Sequence, residues 1–533
     1  MSLAADAAAL LHHLAAAIRA AHGWRRWLIA FLAGAGAALA MAPFYLLPLL
    51  AVGLTVFVLQ IDGAREAARS RRAAFAAGWF WGFGYFLVGV YWMALSFFVQ
   101  ADQYAWMAPF AMMGMPAFLA LFTAAVAAIC NALPRGGWAR IALFAALFAL
   151  VEYARGHILT GLPWNLAGQA LAGTAIGAQT AAYYGAYGLS LVAVFLAAAP
   201  AAGFDGRARL RSGLFVMLAG TALLYGFGWM RLNAPEPEGD ARIIVRIVQP
   251  NIPQREKIDW NLWNRNFARQ LEQSLGPVPP DATLFVIWPE NAAPLVQEYD
   301  DALAVLARDL PARSVLLAGT VRRARDDDGR ERWYNSLAVI EDDHGERVVT
   351  AQYDKHHLVP IGEYLPFFDF FNSIGVAALT PYQDEGFSAG SGPTTFSAAG
   401  SSFSPMICYE AIFPGASYPK GARPDWLVTV TNDAWFGDSS GPRQHLDMAR
   451  LRSIETGLPM ARSANTGVSA LIDGKGRILA RKKLYTAGKI EAPLPPPLSR
   501  TIYDIAGDWP FLALAALFLL FGLRSEITKS PRG

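Results

Sequence analysis

Crossing about 30 Å of hydrocarbon takes roughly 20 consecutive apolar residues, because lipid offers backbone polar groups no partners outside the helix itself. Eight stretches of this 533-residue chain approach that requirement: residues 27–41, 43–61, 73–99, 105–130, 141–153, 170–200, 214–230 and, far downstream, 509–523. No other feature limits the fold as strongly. Composition agrees, since 54% hydrophobic against 16% charged residues is too apolar for an ordinary soluble enzyme. The net charge of +3 is too small to imply a nucleic-acid partner.

Basic residues between the runs set the expected orientation, because they are retained on the cytoplasmic side. Arg19, Arg25 and Arg26 precede the first run; Arg65, Arg69, Arg71 and Arg72 follow the second; Arg135 and Arg140 follow the fourth; Arg207, Arg209 and Arg211 follow the sixth. Alternate loops such as QADQYA (100–105) and GHILTGLPWNLAG (156–168) lack lysine and arginine, although Arg155 borders the latter. With Arg524, Lys529 and Arg532 at the end, the pattern predicts about eight transmembrane helices, both termini in the cytoplasm and a large outer segment. No small-residue cleavage site leads into soluble sequence, so the first run reads as an uncleaved helix. Residues 10–23 before it suit an amphipathic interfacial helix, with His12 and His13 at headgroup level. The predicted division is a membrane domain over 1–231, an outer domain over 232–508, and a final helix with its tail over 509–533.

The outer segment changes texture to short β-rich runs separated by polar turns. Strands are predicted at 242–249, 283–289, 314–321, 336–340, 403–409, 426–432 and 469–473, with helical patterns at 261–275, 300–310 and 445–457. Continuous apolar strands alternating with amphipathic helices argue for an α/β sheet covered by helices. No internal repeat or low-complexity segment interrupts it.

Neither a glycine-rich phosphate loop nor a metal-ligand spacing is present; His356 and His357 are adjacent rather than on one helical face. The two cysteines fall in different regions, Cys130 in the fourth apolar run and Cys408 in SPMICYEAIFP (404–414). An unpaired thiol in an oxidising compartment calls for a reason. Three segments place a reactive side chain where an apolar run stops, which is where open α/β sheets assemble sites: FVIWPEN with Glu290, QYDKHHLVPIGEYLP with Lys355, and Cys408 itself. A thiol with an ordinary pKa near 8.5 needs a base or a nearby cation to act as a nucleophile. Glu290 can take its proton, and Lys355 can stabilise the thiolate and then an oxyanion, with the Tyr409 backbone N–H assisting. All the reacting groups are then protein groups, so no metal or organic cofactor is expected.

This ordered set of Glu, Lys and Cys resembles the nitrilase superfamily, whose members share an αββα sandwich and a Glu–Lys–Cys triad. A nitrilase-like domain set between seven apolar spans and one more is similar to the bacterial apolipoprotein N-acyltransferases. That resemblance implies an enzyme of the inner membrane with a periplasmic catalytic domain. It would hold the sn-1 acyl chain of a phospholipid, typically phosphatidylethanolamine, as a thioester on Cys408 and pass it to the α-amino group of a diacylglyceryl-cysteine apolipoprotein. It also implies that Glu290 is the base, Lys355 the oxyanion-stabilising lysine and Cys408 the nucleophile. Glu363 would orient the lysine region, Tyr409 and Glu410 would complete a Cys-Tyr-Glu triplet, and Trp260 would match a required tryptophan. Phe367 and Phe368 in PFFDFF (366–371), and Trp435 and Phe436 in TNDAWFGD (431–438), divide between a lipid-facing lid and ordinary packing. The aromatic third run (78–92) divides between an acyl groove and core. A membrane-tethered amide hydrolase is the alternative reading, and a non-catalytic binding protein or transporter a third.

Overall fold

A computed structural model describes residues 2–133, 136–204, 207–239, 242–326, 329–366, 368, 373 and 386–524. Arg135, Lys529, Arg532 and Phe367 lie outside the described residues. The chain divides into two compact units, one of Met1–Ala234, Ser439–Asp447 and Thr501–Gly533, the other of Pro235–Asp438 and Met448–Arg500. Residues 439–447, expected in the outer domain, belong to the first unit. Gln444 accepts hydrogen bonds there from the indoles of Trp164 (2.7 Å) and Trp92 (3.3 Å), and Asp447 accepts one from Tyr45 (2.8 Å).

The first unit is helical. Among the described residues, six helices are long and apolar enough to cross a membrane: Leu47–Ala64, Ser70–Phe98, Ala101–Ala132, Gly137–Arg155, Ala181–Gly203 and Leu210–Leu232. The first and last predicted runs form 16-residue helices, Gly23–Ala38 and Trp509–Arg524, each about 24 Å long at 1.5 Å per residue. A further helix, Ser2–Ala20, covers the predicted interfacial segment. The sixth run differs from expectation: its helix begins at Ala181, and Ala167–Gly173 forms a buried 3₁₀ segment instead. A Cβ at Gly168 would come within 2.5 Å of the Ser190 amide, so this backbone packs directly on the helix. Irregular backbone at this depth needs internal partners. Glu152 accepts from the Ala167 N–H (2.9 Å), and Arg155 donates to the carbonyls of Leu162 (2.6 Å) and Trp164 (2.7 Å). These two charged residues at the end of the helix Gly137–Arg155 therefore hold the segment.

Aromatic residues of the third run pack between helices. Trp81 is buried, stacked on Phe57 (4.8 Å between ring centres) and Tyr85 (5.1 Å), and its indole donates to the Gly53 carbonyl. A cavity of about 880 Å³ with an almost wholly apolar lining lies elsewhere, bounded by Leu14, Leu50, Leu196, Leu214 and Leu218.

The second unit contains two six-stranded sheets. One has the order β12-β1-β2-β3-β4-β5, built from β1 (Ile243–Gln249), β2 (Thr283–Trp288), β3 (Ser314–Arg325), β4 (Glu331–Asp343), β5 (Glu346–Asp354) and β12 (Gly488–Pro493). The other runs β11-β10-β9-β8-β7-β6, from β6 (Phe396–Ala398), β7 (Ser401–Ile407), β8 (Trp426–Thr431), β9 (Met460–Ala464), β10 (Ala470–Ile472) and β11 (Ile478–Arg481). The central strands β1-β2-β3 and β7-β8-β9 are parallel and mostly buried, which is why β2 and β8 read as nearly continuous apolar runs. One core lies between the sheets and includes Val245, Phe285, Leu317, Phe403, Trp426 and Leu471. On the other face of the first sheet, Phe267 and Leu271 of the helix Trp263–Ser274 and Leu306 of the helix Asp300–Asp309 pack on Val286, Trp288 and Leu316. The strands bring their carboxyl ends, with the residues just beyond them, into the second unit's polar centre.

Candidate active site

Each of the three reactive side chains follows a strand. Glu290 comes two residues after β2, Lys355 directly after β5 and Cys408 directly after β7. The chain can turn tightly after β2 because β3 carries Gly319 alongside it; a Cβ there would lie 2.1 Å from the Pro289 carbonyl oxygen. All three are buried, with 5%, 1% and 8% of their surface exposed. A carboxylate and an ammonium this deep persist only when paired and hydrogen-bonded.

They are paired. Lys355 Nζ lies 2.8 Å from Glu363 Oε2 and 3.7 Å from Glu290 Oε1. Asn335 on β4 bridges the two carboxylates, its Nδ2 donating to Glu290 Oε1 (2.7 Å) and Glu363 Oε1 (2.8 Å). The second oxygen of Glu290 accepts from the Asn432 backbone N–H (2.8 Å), and that of Glu363 from the Val359 N–H (2.8 Å). Burial opposes charge on Lys355, but Glu363 and then Glu290 outweigh it and hold the ammonium well above its ordinary range.

Cys408 opens a 3₁₀ turn, Cys408–Ile412, with φ at 52°, in the left-handed region. A non-glycine residue there is strained, and such strain persists where the surroundings over-determine it. The determinant here is Glu410, whose Oε2 accepts from the Ile407 N–H (2.7 Å). Its Oε1 accepts from the His356 N–H (2.9 Å), the His357 N–H (3.2 Å) and the Tyr353 hydroxyl (2.8 Å). Glu410 thus ties the turn bearing the thiol to the segment bearing Lys355. Burial works against its charge, yet the His356 hydrogen bond and charge and the Ile407 N–H keep it below the ordinary carboxylate range. Burial, then Glu290, pushes the Cys408 thiol well up, against a smaller opposing pull from Lys355. The resting thiol is therefore protonated.

The other predicted residues divide. Glu363 joins the cluster directly and Tyr409 packs edge-on against Phe413 at 5.0 Å. Trp260 does not join: it sits on the turn Trp260–Leu262 with 56% of its surface exposed. Trp435 is exposed, while Phe436 and Phe368 are half-buried. Three polar residues of the site are not marked by the sequence: Asn335 and Lys257 stand in no motif, and Asn432 lies in TNDAWFGD, where only the aromatics draw notice. Lys257 had one signal, as the first lysine in the chain. Its ammonium donates to the backbone carbonyl of Glu290. Among the described residues, no group of three or more His, Cys, Asp or Glu side chains is arranged to hold a metal ion.

A carboxylate, an ammonium and a neutral thiol meeting in a buried site can support nucleophilic acyl transfer. Comparison with known proteins points the same way. Residues 33–199 match the family model for the apolipoprotein N-acyltransferase N-terminal domain, and residues 244–502 match that for carbon-nitrogen hydrolase. The chain is 40% identical to the apolipoprotein N-acyltransferase of Rhodopseudomonas palustris, across 98% of this chain and 99% of the relative. It is 41% identical to the protein of that name from Bradyrhizobium diazoefficiens, across 97% and 98%, and 42% identical to that from Brucella melitensis, across 92% and 93%.

Proposed function

This chain belongs to the apolipoprotein N-acyltransferase family, and from that membership we propose that it moves a phospholipid acyl chain through a Cys408 thioester to the α-amino group of a diacylglyceryl-cysteine apolipoprotein. One observation carries the assignment of roles: Lys355 is clamped between Glu363 and Glu290, and Glu410 ties the segment that bears Lys355 to the turn that bears Cys408.

In the first half-reaction the sulfur attacks the sn-1 ester carbonyl while Glu290 takes its proton. Lys355 and the Tyr409 N–H stabilise the tetrahedral oxyanion, and the lysophospholipid alcohol leaves with the proton from Glu290. Because burial keeps the resting thiol neutral, thiolate forms only as attack proceeds, which protects a lone cysteine from oxidation. In the second half-reaction the amine displaces the sulfur, giving an amide more stable than the thioester. Glu363 and Asn335 act as positioning residues that fix Lys355 and Glu290.

The proposed location is the bacterial inner membrane, with the catalytic domain periplasmic and both termini cytoplasmic. Arg19, Arg65 and Arg140, from three segments that the charge pattern assigns to one side, converge on Asp62, which supports that topology. The amide hydrolase reading is less well supported, because the family relationship extends over the membrane helices as well as the catalytic domain.

Incubating the purified protein with acyl-labelled phosphatidylethanolamine and a diacylglyceryl-cysteine peptide should place label on the peptide α-nitrogen, and Cys408→Ala should abolish this. Release of labelled free fatty acid with no peptide product would favour the hydrolase instead.

A further inference from the structure

Lys257 ends a single helical turn, Gln254–Lys257, whose position is fixed by side chains. Gln254 Oε1 accepts from Asn432 Nδ2 (2.6 Å), and Asn465 Nδ2 donates both to the Ile252 carbonyl (2.7 Å) and to Asn432 Oδ1 (3.0 Å). The same Asn432 binds Glu290 Oε2 through its backbone N–H. The residue that orients the carboxylate thus also anchors the turn that lays a second ammonium on the Glu290 carbonyl. A solvated loop lysine would need no such anchoring.

The charged group facing Lys257 is Glu290, with the neutral Cys408 thiol nearby; the neighbouring Glu256 is engaged by Arg265 at 2.6 Å. Desolvation of the ammonium outweighs the pull of Glu290 and lowers its pKa to about 8. The two lysines of the site are therefore pushed apart, with Lys355 locked in its charged form and Lys257 able to exchange a proton near neutrality.

The second half-reaction supplies a task for such a group. An α-amino group with an ordinary pKa of about 8 arrives mostly as an ammonium at pH 7. Converting R–NH₃⁺ and Cys408–S–C(O)R′ into R–NH–C(O)R′ and Cys408–SH breaks two N–H bonds. One proton reaches the departing sulfur, and Glu290 can carry it. The other must leave the site. Given the acyl-transfer reading above, on which this step rests, we propose that Lys257, held on the Glu290 carbonyl, first gives its own proton to solvent and then, as the neutral amine, accepts the proton that the acceptor ammonium sheds before attacking the Cys408 thioester, which regenerates the Lys257 ammonium.

The test uses the full-length protein in detergent and two variants, Lys257→Arg, which keeps charge and donor but cannot release a proton, and Lys257→Gln, which keeps a donor alone. Acyl-Cys408 is first formed from labelled phospholipid in each protein, and its discharge is then followed separately. Discharge by hydroxylamine, already neutral at pH 7, supplies the reference rate for each variant. Discharge to the diacylglyceryl-cysteine peptide at pH 7 should fall at least tenfold, with the deficit shrinking as pH is raised to 9 and the peptide amine loses its proton unaided. Either variant discharging to peptide at the parent rate overturns the inference, as does an equal slowing of hydroxylamine and peptide, or a loss of adduct formation confined to the variants. Absence of the adduct in the parent protein would instead overturn the acyl-transfer reading itself.

Discussion

Two charge clusters in this chain, one partly and one fully buried, carry opposite excesses. At the end of the helix Leu47–Ala64, Asp62 is surrounded by three guanidiniums, with contacts of 2.5 Å to Arg140, 3.2 Å to Arg65 and 3.8 Å to Arg19. The surplus N–H groups go to helix ends, Arg140 donating to the Ala201 carbonyl, Arg65 to that of Cys130 and Arg19 to that of Phe204. Those carbonyls lie at C-termini, where the helix dipole favours cations. In the second unit the excess is of carboxylate: Glu290 and Glu363 share Lys355, beside a neutral thiol. Guanidiniums cannot release their protons and are consumed in capping, so the first cluster is structural. In the mechanism proposed above Glu290 takes one proton in each half-reaction, which makes the second the reacting cluster. What separates framework from site is which member can still exchange a proton.

The sharpest break of this contrast is Glu290→Gln, which keeps the side-chain volume and removes the proton acceptor. Acyl transfer should fall by roughly 10²- to 10⁴-fold with little change in melting temperature. Asp62→Asn should do the opposite, removing the carboxylate on which three arginines converge. It should cost roughly 3–5 kcal/mol in a denaturation series, while the folded fraction retains its turnover. Glu410→Gln falls between the clusters in character, because Glu410 is positional rather than reactive. Weakening its charge-assisted hydrogen bonds should cost about 1–3 kcal/mol of stability above pH 5. Its folded-state pKa lies below the ordinary Glu value, so its contribution is present above about pH 4.3 and lost as pH falls through the lower folded value. The parent should therefore lose stability on acidification in that window more steeply than Glu410→Gln does. Smallest of all, Trp260→Ala on the exposed turn should alter stability by no more than about 0.5 kcal/mol, as read by thermal melting.

The parts of this architecture legible in the sequence are those where one periodicity dominates. The parallel strands β2 and β8 appear as nearly unbroken apolar runs and β1, β3 and β7 contain shorter ones, and Glu290, Lys355 and Cys408 stand where strands stop. β5 (ERVVTAQYD) and β9 (MARSA) are mixed in composition and take their place from hydrogen bonding to β4 and β8, which no local pattern records. Likewise, residues 170–173 read as the start of a helix because they are apolar; the neighbouring Gly168 and the distant Glu152 and Arg155 make them part of a 3₁₀ segment instead. Asn335, Asn432 and Lys257 are single polar residues whose roles depend on contacts 45, 142 and 33 positions away along the chain. A glutamate or lysine in a loop announces its chemistry only when the fold shows what it faces.

The central claim is that the sulfur of Cys408 becomes acylated. Intact-mass and peptide mapping after incubation with a phospholipid of one defined sn-1 chain tests it most directly. The account predicts a gain of one acyl group on the Cys408 peptide, released by hydroxylamine and missing from Glu290→Gln over the same interval. Transfer to peptide acceptor with the Cys408 thiol unmodified throughout, or an acyl group found on Cys130 instead, would contradict it.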